Sequence, residues 1–132
     1  MMAVVDASGI MQILLKTDRM ERFNAILQEA SLVLAPDLYV AELTNVFGKY
    51  CASGKLSEET CLSSIQDGLS YVDRFLDSDD MWREAFAESI RNRHSVYDML
   101  YLVLARRNNA VLVTADSDLA KICKRQRITA SL

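Results

Sequence analysis

Proline and glycine are scarce in this chain, one and four among 132 residues, and no repeat, low-complexity tract or linker interrupts it. Histidine occurs once, as His94. The three cysteines, Cys51, Cys61 and Cys123, are odd in number and lack CxxC spacing. A disulfide framework and a zinc site are thereby disfavoured, and reduced thiols in a cytoplasmic protein are expected. No apolar run approaches the roughly 20 residues that cross a bilayer, so no membrane role is expected. The first residues show no basic region followed by an apolar segment, and a secretory leader is not expected either. The Gly-x-x-x-x-Gly-Lys-Ser/Thr phosphate loop is missing, which excludes a nucleotide hydrolase of that type.

What is present reads as one α/β domain over residues 1–132. Half of the residues are hydrophobic (51%) and a quarter charged (25%), the balance of a chain with a sizeable core. Ala3–Asp6, Leu32–Ala35 and Ala110–Thr114 are apolar, β-branched and lack period-2 alternation, so they are predicted as buried strands. Arg74–Leu76 and Ile128–Ala130 are predicted as shorter ones. Helices are predicted from Ala7 or Ser8 to about Lys16, over Arg19–Ala30 behind Thr17 or Asp18, and from Leu38 to about Cys51 behind Asp37. Further helices are expected from Ser57 to about Val72, from Ser78-Asp79-Asp80 to Arg91, over Val96–Arg107 and over Ser117–Lys124. Strands alternating with helices imply a mostly parallel sheet covered on both faces.

Five carboxylates stand where folding alone does not call for them. Asp6 ends the first strand, Glu42 interrupts a helix, Asp98 opens an apolar helix, and Asp116 and Asp118 follow the third strong strand. Ligands of open parallel sheets bind beyond the carboxyl ends of the strands. If the first and third strong strands are neighbours, Asp6 and Asp116 face each other there. Gathered carboxylates repel unless a cation neutralises them. Oxygen donors without His or Cys partners suit magnesium or manganese, and two such ions about 4 Å apart can promote phosphodiester hydrolysis. Asp6 and Asp98 are the expected direct ligands. Glu42 and Asp116 are expected as direct or water-mediated ones, either of them orienting the water.

Each acid also has a plainer explanation. An Asp after a strand is commonly a turn or cap residue, a role that suits Asp118 equally well. Asp98 complements a helix dipole, and Glu42 fits a solvated helix edge. The formal net charge of −3 speaks against a nucleic-acid partner only while these acids are counted. Without the five, 13 acidic residues face 15 basic ones, about +2 by simple charge counting.

The segments Val4-Val5-Asp6-Ala7-Ser8, Ala41-Glu42-Leu43-Thr44-Asn45-Val46, Tyr97-Asp98-Met99-Leu100-Tyr101-Leu102 and Leu112-Val113-Thr114-Ala115-Asp116-Ser117-Asp118-Leu119 together resemble the PIN-domain family. Within it the chain is similar to the small VapC ribonuclease toxins of toxin–antitoxin pairs. The resemblance spans nearly the whole chain. It implies a three-layer αβα fold with a mostly parallel, four- to five-stranded sheet flanked by helices. It also implies Mg2+- or Mn2+-dependent cleavage of RNA, a homodimer, and a cognate antitoxin that occupies the groove. The family's acidic quartet falls on Asp6, Glu42, Asp98 and Asp116, and its small hydroxyl residue on Ser8, which would equally serve as a helix cap. Thr114 is expected to support the Asp116 loop, and Asn45, one turn after Glu42, to reach the site.

Three other features were weighed. For His94 a loop position is the simpler expectation, since metal-assisted cleavage needs no imidazole. Arg91, Arg93, Arg106, Arg107, Lys121, Lys124, Arg125 and Arg127 are candidate phosphate contacts or ordinary surface. Tyr39, Tyr50, Phe47, Met20 and Phe23 form either core or a partner surface. A haloacid-dehalogenase-like phosphatase needs an Asp two residues after the first one, where this chain has Ser8. A PIN-like module that binds RNA or protein without cutting it is the alternative from another class, and an RNA-processing nuclease that is not a toxin the alternative within this one.

Overall fold

The computed structural model describes residues 1–132. Four strands, β1 (Met2–Val5), β2 (Leu32–Pro36), β3 (Arg74–Leu76) and β4 (Val111–Val113), form one sheet in the order β3-β2-β1-β4. Every pairing is parallel, and the register sets Val5 opposite Val113 and Val4 opposite Leu34. Successive strand side chains point to opposite faces. In β1, Ala3, Val4 and Val5 are all completely buried, so both faces of the central strand are covered.

Seven helices supply that cover: α1 (Ala7–Leu14), α2 (Met20–Glu29), α3 (Leu38–Ala52), α4 (Glu58–Ser70), α5 (Trp82–Asn92), α6 (Val96–Arg107) and α7 (Ser117–Arg125). Helix α6 packs across β1, β2 and β4, with α5 and α7 against it, while α1 joins α2, α3 and α4. Residues Met99 through Ala105 of α6 are buried without interruption, as its nearly continuous apolar sequence requires. Tyr39, Phe47 and Phe23 are fully buried, which makes the early aromatic stripe core; Met20 and Tyr50 pack at its edge.

One glycine shapes the ground on which the acids stand. A Cβ on Gly9 would lie 2.3 Å from the Val113 carbonyl oxygen, so only glycine lets the first turn of α1 lie against the end of β4.

Several local expectations give way. α2 starts at Met20 rather than Arg19, with no side-chain cap at its first residue; the Thr17 hydroxyl accepts from the Arg19 amide at 3.3 Å and donates to Gln12 Oε1 at 2.8 Å. Asp37 is itself helical and caps nothing. Its carboxylate accepts from the Ser78 hydroxyl at 2.5 Å, tying the end of β2 to the turn after β3. Ser78–Asp80 forms a single 3-10 turn capped by Asp77, and α5 starts only at Trp82. The segment Ile128–Ala130 joins the sheet by one parallel bridge, Leu112 to Ala130, rather than as a strand.

Candidate active site

In the sheet order, the chain leaves β1 toward β2 and β3 on one side, yet β4 lies on the other. The crevice beyond β1 and β4 is therefore the point where strand order reverses, the usual ligand position in such sheets. The Val5–Val113 register puts Asp6 next to Thr114 there, and the Asp6 amide donates to the Val113 carbonyl at 3.2 Å.

Asp6 is 5% exposed and caps α1. Its Oδ1 accepts from the Gly9 amide at 2.7 Å and the Ser8 hydroxyl at 2.8 Å, and its Oδ2 from the Thr114 hydroxyl at 2.5 Å. Ser8 is thus not the cap. It sits in the first turn and also accepts from the Ala115 amide at 3.0 Å. Thr114 holds the Asp116 amide at 3.0 Å as well, so two hydroxyls brace the β1 and β4 ends together. Burial pushes the Asp6 carboxyl up to about 6; the Thr114, Ser8 and Gly9 donors oppose that rise, and Asp98 adds to it.

Glu42 is half-buried on α3, and its Oε1 accepts from the Tyr101 phenol at 2.6 Å. Burial raises its carboxyl above the usual range, Tyr101 lowers it, and Asp98 raises it again. Asp98 lies in the first turn of α6, whose cap is Ser95, and contacts His94 Nε2 at 2.7 Å. Asp116 caps α7 by accepting from the Asp118 and Leu119 amides at 2.9 and 3.2 Å.

Asp6, Ala7, Ser8, Glu42, Asp98, Tyr101 and Asp116 line one pocket of about 90 Å³. Four carboxylates in so small a space demand positive charge. On the rim, ligand atoms of His94, Asp98 and Asp116 all lie within 4.8 Å of one another. This donor set suits a divalent cation: several carboxylate oxygens with one imidazole in reach. A larger cavity of about 510 Å³ between Leu27, Val33, Tyr71 and Asp73 has no such cluster, and the Asp73 carboxylate is committed to the Val33 amide at 2.7 Å.

Two of the candidate residues lie outside the acid pocket. Asp118 is exposed and does not line the pocket; the helix geometry turns its side chain outward while its amide bonds Asp116. Asn45 is also exposed and lies in a neighbouring groove. Among the candidate phosphate contacts, Arg106 and Arg107 pair with Glu84, and Arg106 and Arg91 with the buried Glu88. Arg106 and Arg107 tie α6 to α5, whereas the Arg91 pair lies within α5.

One contributor escaped sequence reasoning and another was given the plainer role. Tyr101 reads as one apolar position in an apolar helix, and only the fold aims its hydroxyl at Glu42. His94 is a loop residue as expected, yet its ring touches Asp98. Its spacing, four residues before an acid, was the one available signal.

A parallel α/β sheet with an acidic pocket at its switch point defines the class of domain. The PIN domain family model matches residues 3–125, and the chain belongs to that family. Several of the proteins it resembles bear VapC or VapBC names. Ribonuclease VapC3 of Pyrobaculum aerophilum is 26% identical over 123 residues, 92% of this chain and 94% of the relative. The crystal structure of PAE2754 from the same organism superimposes with a TM-score of 0.74 at 20% identity, covering 92% of this chain and 86% of that one. Mycobacterium tuberculosis VapC20, a sarcin-ricin loop cleaving toxin, gives 0.70 at 15% identity, with 91% and 94% covered. VapBC2 from Rickettsia felis, solved with a promoter DNA fragment, gives 0.69 at 18%, with 98% and 97% covered.

Proposed function

We propose that this chain is a divalent-metal-dependent endoribonuclease, the toxin of a VapBC-type toxin–antitoxin pair. The observation that carries the proposal is the convergence of Asp6, Glu42, Asp98 and Asp116 on one pocket at the switch point. The relative named Ribonuclease VapC3 and the toxin VapC20 support the same reading.

Asp6 and Asp98 would be the direct ligands of Mg2+ or Mn2+, and Glu42 and Asp116 would bind it directly or through water. When bound, the ion supplies the positive charge that offsets the carboxylates, draws in the scissile phosphate and acidifies water at neutral pH. The remaining work belongs to the chain. Ser8, Thr114 and the Gly9 amide fix both oxygens of Asp6, so that little reorganisation accompanies binding. Tyr101 holds Glu42 in one rotamer. Glu42 or Asp116 would orient the attacking water and take its proton as the new P–O bond forms and the old one breaks, the leaving oxygen taking a proton from solvent.

The partners in this reading are an RNA substrate, a cognate antitoxin and a second copy of the chain. Trp82, Phe86 and Ile90, all more than half exposed at successive turns of α5, supply an apolar stripe consistent with self-association. The test is incubation with labelled RNA in Mg2+, Mn2+ or chelator, beside Asp6→Asn and Asp98→Asn. Metal-dependent cleavage lost in both variants is expected; cleavage that persists equally in them would falsify the assignment. Tight partner binding without cleavage of any RNA would favour a binding module instead. Growth arrest on expression, relieved by a small neighbouring gene product, tests the toxin role separately.

A further inference from the structure

Beside the acid pocket lies a second hollow of about 480 Å³, lined by Leu38, Ala41, Glu42, Asn45 and Tyr97. Glu42 lines both, so the hollow adjoins the acid pocket at that residue. Tyr97 is 61% exposed although its neighbours further along α6 are buried. It lines this hollow together with Glu42, which is also a wall of the acid pocket. No Lys or Arg lines the hollow, which makes it a poor seat for phosphate. An open aromatic face, two aliphatic side chains and one amide suit a flat heterocycle with a hydrogen-bonding edge.

We propose that this hollow seats a nucleobase of the RNA adjoining the cleaved bond, with Tyr97 as the stacking platform and Asn45 contacting the base edge. The inference rests on the nuclease reading given above. A strand whose phosphate lies among Asp6, Glu42, Asp98 and Asp116 must place a neighbouring nucleotide nearby, and the hollow shares a wall with that site. Stacking of one base on an aromatic side chain corresponds to roughly 5- to 100-fold in affinity and tolerates any base. An Asn amide offers both a donor and an acceptor to the edge, so it would bias the choice of base.

The experiment uses fluorescent single-stranded oligoribonucleotides of random sequence with the full chain in Mn2+, and in Ca2+ for equilibrium binding. Tyr97→Ala is expected to raise KM and weaken binding about 5- to 100-fold, with a smaller change in kcat. Tyr97→Phe and Tyr97→Trp should stay near the parent, and Asn45→Ala should flatten the base preference next to the cut. On a mapped substrate, an abasic nucleotide at one flanking position should cost the parent what Tyr97→Ala costs, and add nothing to that variant. The inference is overturned if Tyr97→Ala leaves KM and binding unchanged. It is equally overturned if Phe fails as badly as Ala, or if no flanking abasic site matters. Loss of antitoxin binding alone, with RNA handling intact, would give the hollow to a protein partner and also overturn it. If the parent cuts nothing, the nuclease reading fails, while the binding series still decides whether Tyr97 stacks a base.

Discussion

Replacing Asp6 by Asn should stabilise the metal-free protein, an unusual outcome for a buried residue with three hydrogen-bond donors around it. The Asp6 carboxyl rises from 3.8 to about 6 in the fold, chiefly through burial. That difference corresponds to roughly 3 kcal/mol between its protonation states. The sign follows from the direction of the shift. A carboxyl raised on folding favours the folded state fully below about pH 4, and this contribution is lost as pH rises through about 6. Above pH 7 the ionised group therefore works against the fold. Asn removes the charge and keeps an acceptor for Ser8 and Gly9, while the Thr114 contact, worth about 1 kcal/mol, is disturbed. The net gain near pH 8 is about 2 kcal/mol, or roughly 6–10 °C in Tm for a domain of this size. Thermal melts in chelator at pH 8 and pH 4 should show the gain at the higher pH and none at the lower. Adding Mn2+ should raise the parent and move the variant less. A variant that melts below the parent at pH 8, by the same margin as at pH 4, would refute the argument.

Three further outcomes are expected. Tyr101→Phe preserves the volume in the core but removes the phenol donor 2.6 Å from Glu42; Mn2+ affinity by calorimetry should fall roughly 10- to 100-fold, with unchanged affinity counting against the positioning role. Glu88 is 1% exposed between Arg91, Arg106 and Gln126, so Glu88→Ala should cost about 3–5 kcal/mol in denaturant unfolding without touching the acid pocket. Gly9→Ala sets a methyl 2.3 Å from the Val113 carbonyl; it should lower Tm and cleavage together, since α1 must move off β4 and take Asp6 with it.

The strands β1, β2 and β4 were legible because buried parallel strands leave a local mark, short β-branched runs closed by a turn or an acid. The cap at Ser57 was legible for the same kind of reason, since a hydroxyl three residues before a free amide needs no distant partner. Expectations failed where a side chain had a choice. Asp37 found Ser78 rather than its own helix, and Thr17 found Gln12. The first choice turns on a neighbour brought close by folding, the second on the end of the preceding helix.

The four acids could be named from the chain, because an acid beside an apolar strand or opening an apolar helix stands out against its surroundings. Their meeting could not. It required the parallel register of Val5 with Val113, the tight seat of Gly9 under β4, and the pitch of α6 that turns Tyr101 toward Glu42 and Asp98 toward His94. Composition and periodicity act over a few residues and set which elements form. Side-chain direction and strand order act across the molecule, and those alone bring charges from opposite ends of the chain into one pocket of about 90 Å³.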